Sequence, residues 1–174
     1  VFGSLAPILA DHFFSRQHPV AALLSTIGVF TVGFLFRPLG ALLFGWIGDT
    51  IGRKRAFLVT LFGMGLATAL IGVIPSYGSI GLAAPLIVFL LRVAQGLMVG
   101  GEWGGALTYV AEHAPDGRRG FYTACLSPAS VLGLLLSFAV VFSTRALVGG
   151  EAFSDWGWRI PFLLSLVLVG ISLA

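Results

Sequence analysis

Three polar side chains interrupt one long apolar run: Arg92, Gln95 and Glu102 in Arg92-Val93-Ala94-Gln95-Gly96-Leu97-Met98-Val99-Gly100-Gly101-Glu102. At about 100° per residue, Gln95 falls about 60° and Glu102 about 80° from Arg92, so a helix carries all three on one face. In a bilayer-spanning helix Arg92 sits about 15 Å from the start of the run, near the midplane. A guanidinium at that depth requires a cavity or a partner. Two roles fit it. One is contact with an anionic substrate group or a place in proton coupling, because the planar fork gives a carboxylate two parallel hydrogen bonds. The other is a structural ion pair with a carboxylate of another helix. Gln95 is the adjacent hydrogen-bonding group. Glu102 lies about 15 Å along the axis from Arg92, too far to pair with it directly. Arg37, in an earlier apolar run, reaches a similar depth to Glu102, and the two are the expected buried ion pair if their helices are neighbours.

A second constellation is Gly45-Trp46-Ile47-Gly48-Asp49-Thr50-Ile51-Gly52-Arg53-Lys54-Arg55. Its glycines permit a tight turn. Asp49 stands four residues before Arg53, the spacing of a local ion pair, and its carboxylate also suits the positive end of another helix. A plain basic loop accounts for the same residues. Downstream, Glu112-His113-Ala114-Pro115-Asp116-Gly117-Arg118-Arg119-Gly120 gathers further charge around a turn. His12, His18 and His113 lie in or beside loops, where a solvated ring is expected, and show no metal-ligand spacing. No nucleophile and base pair up at membrane depth. The sequence therefore reads as neither an enzyme nor a metal protein.

These groups need elements that can hold them in lipid. Of the 174 residues, 57% are hydrophobic and 10% charged, with mean hydropathy +1.01. Soluble domains carry about 25% charged residues. This balance excludes a soluble enzyme and a disulfide scaffold; there is one cysteine, Cys125, read as a small packing residue inside an apolar run. The net charge of +3 comes from scattered or loop residues, so no nucleic-acid partner is expected. The bilayer is the expected surroundings.

Apolar runs predict six helices at about 1–14, 20–47, 56–74, 82–110, 121–143 and 160–174, the first and last partial. Period-two alternation is absent, which argues against a barrel. The loops at 53–55 and 118–119 hold five basic residues on one side. Arg16, Arg145 and Arg159 lie on the other. The positive-inside rule puts the first side, and the N-terminus, in the cytoplasm. Gly96, Gly100 and Gly104 form a stripe for close helix packing, as do Gly101 and Gly105. Pro38 and Pro128 are expected to bend their helices. Trp46, Trp103, Trp156 and Trp158 are expected at the interfaces.

The 45–55 segment resembles the signature loop of the major facilitator superfamily, Gly-x-x-x-Asp-x-x-Gly-Arg-[Arg/Lys], at every fixed position: Gly45, Asp49, Gly52, Arg53 and Lys54. The 92–102 segment, Phe36-Arg37-Pro38-Leu39-Gly40, Trp156-Gly157-Trp158-Arg159-Ile160-Pro161-Phe162 and Gly3-Ser4-Leu5-Ala6-Pro7 resemble, in order, the metabolite:proton symporter family within it. The 112–120 segment resembles the Glu-x-x-Pro-x-x-x-Arg-Gly stretch of that family and of sugar porters. The resemblance implies an all-α membrane protein with the major facilitator fold, here the N-terminal six-helix bundle truncated in helices 1 and 6. It implies a C-terminal six-helix half as partner, and proton-coupled symport of a small metabolite by alternating access. A carboxylate such as 2-oxoglutarate, citrate or shikimate is the leading substrate class. The implied membrane is a bacterial-type cytoplasmic (inner) one, and the implied energy source is a proton gradient with no cofactor. Gly45, Asp49, Gly52, Arg53, Glu112 and Arg119 would form a cytoplasmic gating network, and Arg92 with Gln95 would bind substrate or tune proton coupling.

Two departures sharpen this. Ser127-Pro128-Ala129-Ser130-Val131-Leu132-Gly133 lacks the antiporter signature of the fifth helix, which disfavours drug:proton antiport. The family's aromatic and acidic motif of the first helix would precede Val1, so a coupling carboxylate there is not readable. A proline/betaine-type porter, a sugar or aromatic-compound porter, and a non-transporting membrane sensor are the alternatives.

Overall fold

The computed structural model describes residues 2–14 and 19–173. Val1, Arg16 and His18 lie outside them. A 3-10 turn at Gly3–Leu5 leads into α1 (Ala6–Phe13). Next come α2 (Pro19–Leu35) and α3 (Arg37–Ile51), which run on from each other as one apolar rod, then α4 (Arg53–Val73) and a short α5 (Tyr77–Ile80). The long α6 (Ala83–His113) is followed by α7 (Arg119–Ala124) and α8 (Leu126–Val148), again one rod, then α9 (Gly150–Ala152), a π-helical turn (Phe153–Gly157) and α10 (Arg159–Leu173). No strand occurs among the described residues. Among the described residues, four rods are long and apolar enough to cross a membrane: Val20–Ile51, Arg53–Val73, Ala83–His113 and Arg119–Val148.

Sequence explains the interruptions. Pro38 has no N–H to give, and its ring crowds the carbonyl four residues back; the first rod breaks at Phe36, and Pro38 stands in the opening turn of α3. Pro128 acts likewise, with the second break at Cys125. Gly52, at φ +97°, reverses the chain between α3 and α4 in a single residue, a backbone state that side chains with a Cβ resist.

α6 is the centre of the bundle, packed against α2, α3 and α4, while α10 lies on α4. The packing is backbone to backbone. A Cβ on Gly96 would strike the carbonyl oxygen of Gly33, one on Gly100 that of Arg37, and one on Gly40 that of Leu97. Gly104 and Gly105 meet nothing within 4 Å; the glycine stripe packs only along its first part and then opens. A second close approach was not foreseen: Gly65 lies against Val169 and Gly72 against Phe162. Lipid tails are as apolar as leucine, so such approaches stabilise through dispersion and shape rather than through removal from water.

The outer core gathers Leu9, Phe13, Ile71, Val88, Phe153 and Trp158 at the end of the bundle away from Arg53. Trp158 is fully buried there, covered by protein rather than presented outward; the π-helical turn precedes it, and its ring sits edge-on to Phe13 and Phe162. Trp46, Trp103 and Trp156 are exposed. His12 is not a solvated loop residue either. It is half-buried, its Nε2 donates to the Ser154 carbonyl at 2.8 Å, and its ring lies 5.3 Å from that of Trp158. Cys125 is exposed at the α7–α8 break rather than packed within a helix. Arg159 donates to the Gly72 carbonyl at 3.2 Å, a cation set on the negative end of α4.

Candidate functional site

α6 places Arg92 about 14 Å past its start at Ala83, about half the thickness of a bilayer core into the rod. There it borders a cavity of about 400 Å³ whose wall includes Phe2, Phe30, Met64, Thr68, Phe138 and Phe162. Residues from six stretches of the chain thus converge on one volume. The Arg92 guanidinium carbon lies 3.4 Å from the centre of the Phe2 ring and 5.5 Å from that of Phe30, and the two rings stack at 6.0 Å. Cation–π contact therefore holds the head group. Nε of Arg92 is buried without a hydrogen-bond partner, and no carboxylate pairs with Arg92 among the described residues.

Gln95 lies one turn on and is 4% exposed. Its amide donates to Thr68 Oγ1 at 2.8 Å, and that hydroxyl in turn donates to the Met64 carbonyl at 2.7 Å. The chain of donors fixes the amide's orientation: the Thr68 proton is already committed, so Gln95 must give its N–H and keep its oxygen free. Oε1 is buried and accepts nothing among the described residues.

Arg37 and Glu102 are not brought together. Arg37 is exposed, its guanidinium 4.0 Å over the ring of Phe34, and it shares with Arg92 the wall of a smaller space of about 60 Å³. Depth along the axis was right, but azimuth was not. Gly100 is the residue that abuts Arg37, and Glu102, two residues on, is turned about 200° away from it.

At the basic end, Arg53 bridges three helix termini. Nη1 lies 2.7 Å from Glu102's successor on the same helix, Glu112, close but off-axis for a hydrogen bond, and Nη2 lies 3.8 Å from Asp49. Arg119 is not part of this cluster; it pairs with Asp116 at 3.5 Å, three residues before it. Gly45, Gly48, Gly101 and Gly104 line a cavity of about 270 Å³ beside Asp49 and Arg53. Gly52 supplies the reversal that puts Arg53 opposite Asp49. Half-exposed pairs of this kind contribute about 0.2–1 kcal/mol each. A double-mutant cycle on thermal unfolding of the purified whole protein is expected to couple Arg53→Gln with Glu112→Gln by about that amount, and Arg53→Gln with Arg119→Gln by nothing measurable. Equal couplings would overturn the assignment.

Phe2, Phe30 and Thr68 escaped the sequence reading. Two are phenylalanines among many, with no local signal. Thr68 is a polar residue inside an apolar helix, which was a usable signal.

Residues 4–174 match the family described as sugar (and other) transporter. The chain is 47% identical over 170 residues to the shikimate transporter of Escherichia coli K12, covering 97% of this chain and 39% of that protein. It is 43% identical to a citrate-proton symporter of Klebsiella pneumoniae (97% and 38% covered) and 42% identical to the proline/betaine transporter of E. coli K12 (97% and 34%). The chain spans about two fifths of the length of these relatives or less. Its backbone superposes on the inward-open xylose transporter of E. coli with a TM-score of 0.81 at 19% identity, covering 98% of this chain and 41% of that one, a likeness of fold.

Proposed function

The chain belongs to the sugar (and other) transporter family of the major facilitator superfamily, a family of membrane transporters rather than enzymes, and we propose that the protein it forms part of carries a small carboxylate together with protons across a bacterial-type inner membrane. The observation that carries this reading is Arg92: a guanidinium about half a bilayer-core thickness into its rod, beside a cavity, held by aromatic rings and paired with no carboxylate among the described residues. A half-buried cation of that kind is complementary to an anion. The relatives named for shikimate and for citrate with protons agree with a carboxylate cargo, and the citrate relative with proton coupling. The proton gradient is the proposed energy source, with no cofactor or metal.

Alternating access needs a second six-helix half to close the cavity from the far side. The cluster of Arg53, Asp49 and Glu112 ties α3, α4 and α6 on the proposed cytoplasmic side, where it would latch the outward-facing state. With that side inward, the N-terminus is cytoplasmic.

The test is uptake by cells expressing the full-length gene. Labelled 2-oxoglutarate, citrate, shikimate, proline and betaine are each supplied with and without a proton uncoupler. Uptake of a carboxylic acid that the uncoupler abolishes is the expected result. Uptake confined to betaine, or uptake indifferent to the uncoupler, would overturn the reading.

A further inference from the structure

We infer that Arg37 is a second anion station on the cytoplasmic side of Arg92, so that a carboxylate leaving Arg92 passes over Arg37 on its way out. The inference rests on the carboxylate reading and its sidedness and adds a release route to them. Three observations carry it. The first is a series of spaces that share walls. The cavity of about 400 Å³ at Arg92 shares Phe30, Met64 and Gln95 with the space of about 60 Å³. That space shares Arg37 and Val99 with a groove of about 600 Å³ between α3, α6 and α8. The groove in turn shares Ala41 with the cavity of about 270 Å³ beside Asp49 and Arg53. The series follows α3 and α6 from Arg92 to the basic end.

The second is where Arg37 stands in it. The two rods run parallel here, Gly96 seated on the Gly33 carbonyl and Gly100 on that of Arg37. The Arg37 backbone therefore lies about 12 Å along α6 from Arg92. Its side chain leans back toward the start of the rod, as helical side chains do, with the guanidinium over the ring of Phe34. The head group thus falls between the two levels. Arg37 is exposed and pairs with no carboxylate among the described residues.

The third is the charge of the lining. Among the described residues no carboxylate lines the spaces between Arg92 and Asp49, while Pro38, Val99 and Trp103 give the groove an apolar wall. An anion leaving Arg92 along such a wall with no second cation would stand unpaired against apolar groups, which is strongly disfavoured. Two cations in sequence lower that barrier, and a cleft of one sign concentrates its counter-ion along its length.

The experiment uses membrane vesicles from cells expressing the full-length protein, right-side-out to present the external face and inside-out to present the cytoplasmic one. Half-saturating concentrations for exchange of labelled shikimate, citrate and 2-oxoglutarate are measured at each face. Arg37→Gln is expected to raise the cytoplasmic value at least about fivefold more than the external one, between the scale of an exposed charge pair and that of a desolvated one. Arg37→Lys, which keeps the charge, should recover most of the difference. Ser130→Asp sets a carboxylate in the same groove from α8 and should shift the cytoplasmic value in the same direction. Ser130 is exposed, so this variant decides the matter where Arg37→Gln fails to insert. Equal changes at the two faces would assign Arg37 a structural role and overturn the inference, as would a larger change at the external face. In either case carriage of the acids leaves the carboxylate reading standing. A lysine variant as defective as glutamine also overturns the inference, because charge would then not be what acts. Carriage of none of the three acids by inserted, unaltered protein overturns both.

Discussion

Arg92→Leu is expected to lower carboxylate uptake by at least about thirtyfold, at unchanged membrane abundance. Losing one member of a desolvated, hydrogen-bonded charge pair typically weakens binding by about 2–5 kcal/mol, and each 1.4 kcal/mol is tenfold. Leucine keeps the apolar contact with Phe2 and Phe30, so the packing around it survives while the charge goes. Arg92→Lys separates charge from shape. An ammonium keeps the positive charge but loses the flat face that lies 3.4 Å from Phe2 and the fork that grips two oxygens. Its uptake should fall between those of wild type and Arg92→Leu. Initial rates, normalised to surface-labelled protein, decide the matter. Arg92→Leu transporting within threefold of wild type would remove Arg92 from the substrate path. A lysine variant as defective as leucine would show that the stacked, planar head group matters as much as its charge.

What could be read from the sequence follows from the range over which each signal acts. The Asp49–Arg53 pair needs only the four-residue helical offset, and the reversal between α3 and α4 needs only Gly52; both appear where the spacing put them. Pro38 likewise marks the break at Phe36. Depth was readable too, because rise per residue is constant. Rotation of one helix about another was not. Arg37 and Glu102 share a depth, yet the close seat of Gly100 on the Arg37 carbonyl turns Glu102 to a different face. The contact of Phe2 with Arg92 spans 90 positions of sequence and is set by how α2 and the Gly3–Leu5 turn approach α6, which no local pattern encodes. Trp158 shows a third limit. Interfacial preference concerns the depth of a tryptophan and not what covers it, and here, just after a π-helical turn, the ring is covered by protein. α8 is readable as a span, yet only 6% of the apolar window of the Arg119–Val148 rod is buried, against 39% for Arg53–Val73. Hydropathy reports that a helix tolerates lipid and says nothing of what covers it.

The same backbone contacts predict the largest loss of stability. Gly100→Ala is expected to destabilise the whole protein by at least about 2 kcal/mol, the upper part of the range for overpacked interiors. The added methyl meets a carbonyl oxygen and the Ala41 nitrogen, not the mobile end of a side chain, so no rotamer change can make room. α3 and α6 must move apart, and the contacts at Gly96 and Gly40 loosen with them. Because the two helices meet over several turns, the loss is shared along the seam rather than confined to one residue. Gly104→Ala, one turn further on, is the contrast. Its Cβ enters open space, and alanine is favoured over glycine within a helix by about 1 kcal/mol. The two substitutions add the same methyl to the same helix face, so propensity and hydrophobicity cancel between them and only the neighbour differs. Thermal melting of the purified full-length variants in detergent should therefore move in opposite directions, down for Gly100→Ala and level or up for Gly104→Ala. Parallel shifts would mean that α3 and α6 are not seated on each other at Gly100. Their separation would also displace α6 relative to α2, and with it Arg92 relative to Phe30, so a destabilised Gly100→Ala protein should lose affinity for its cargo before it loses the fold.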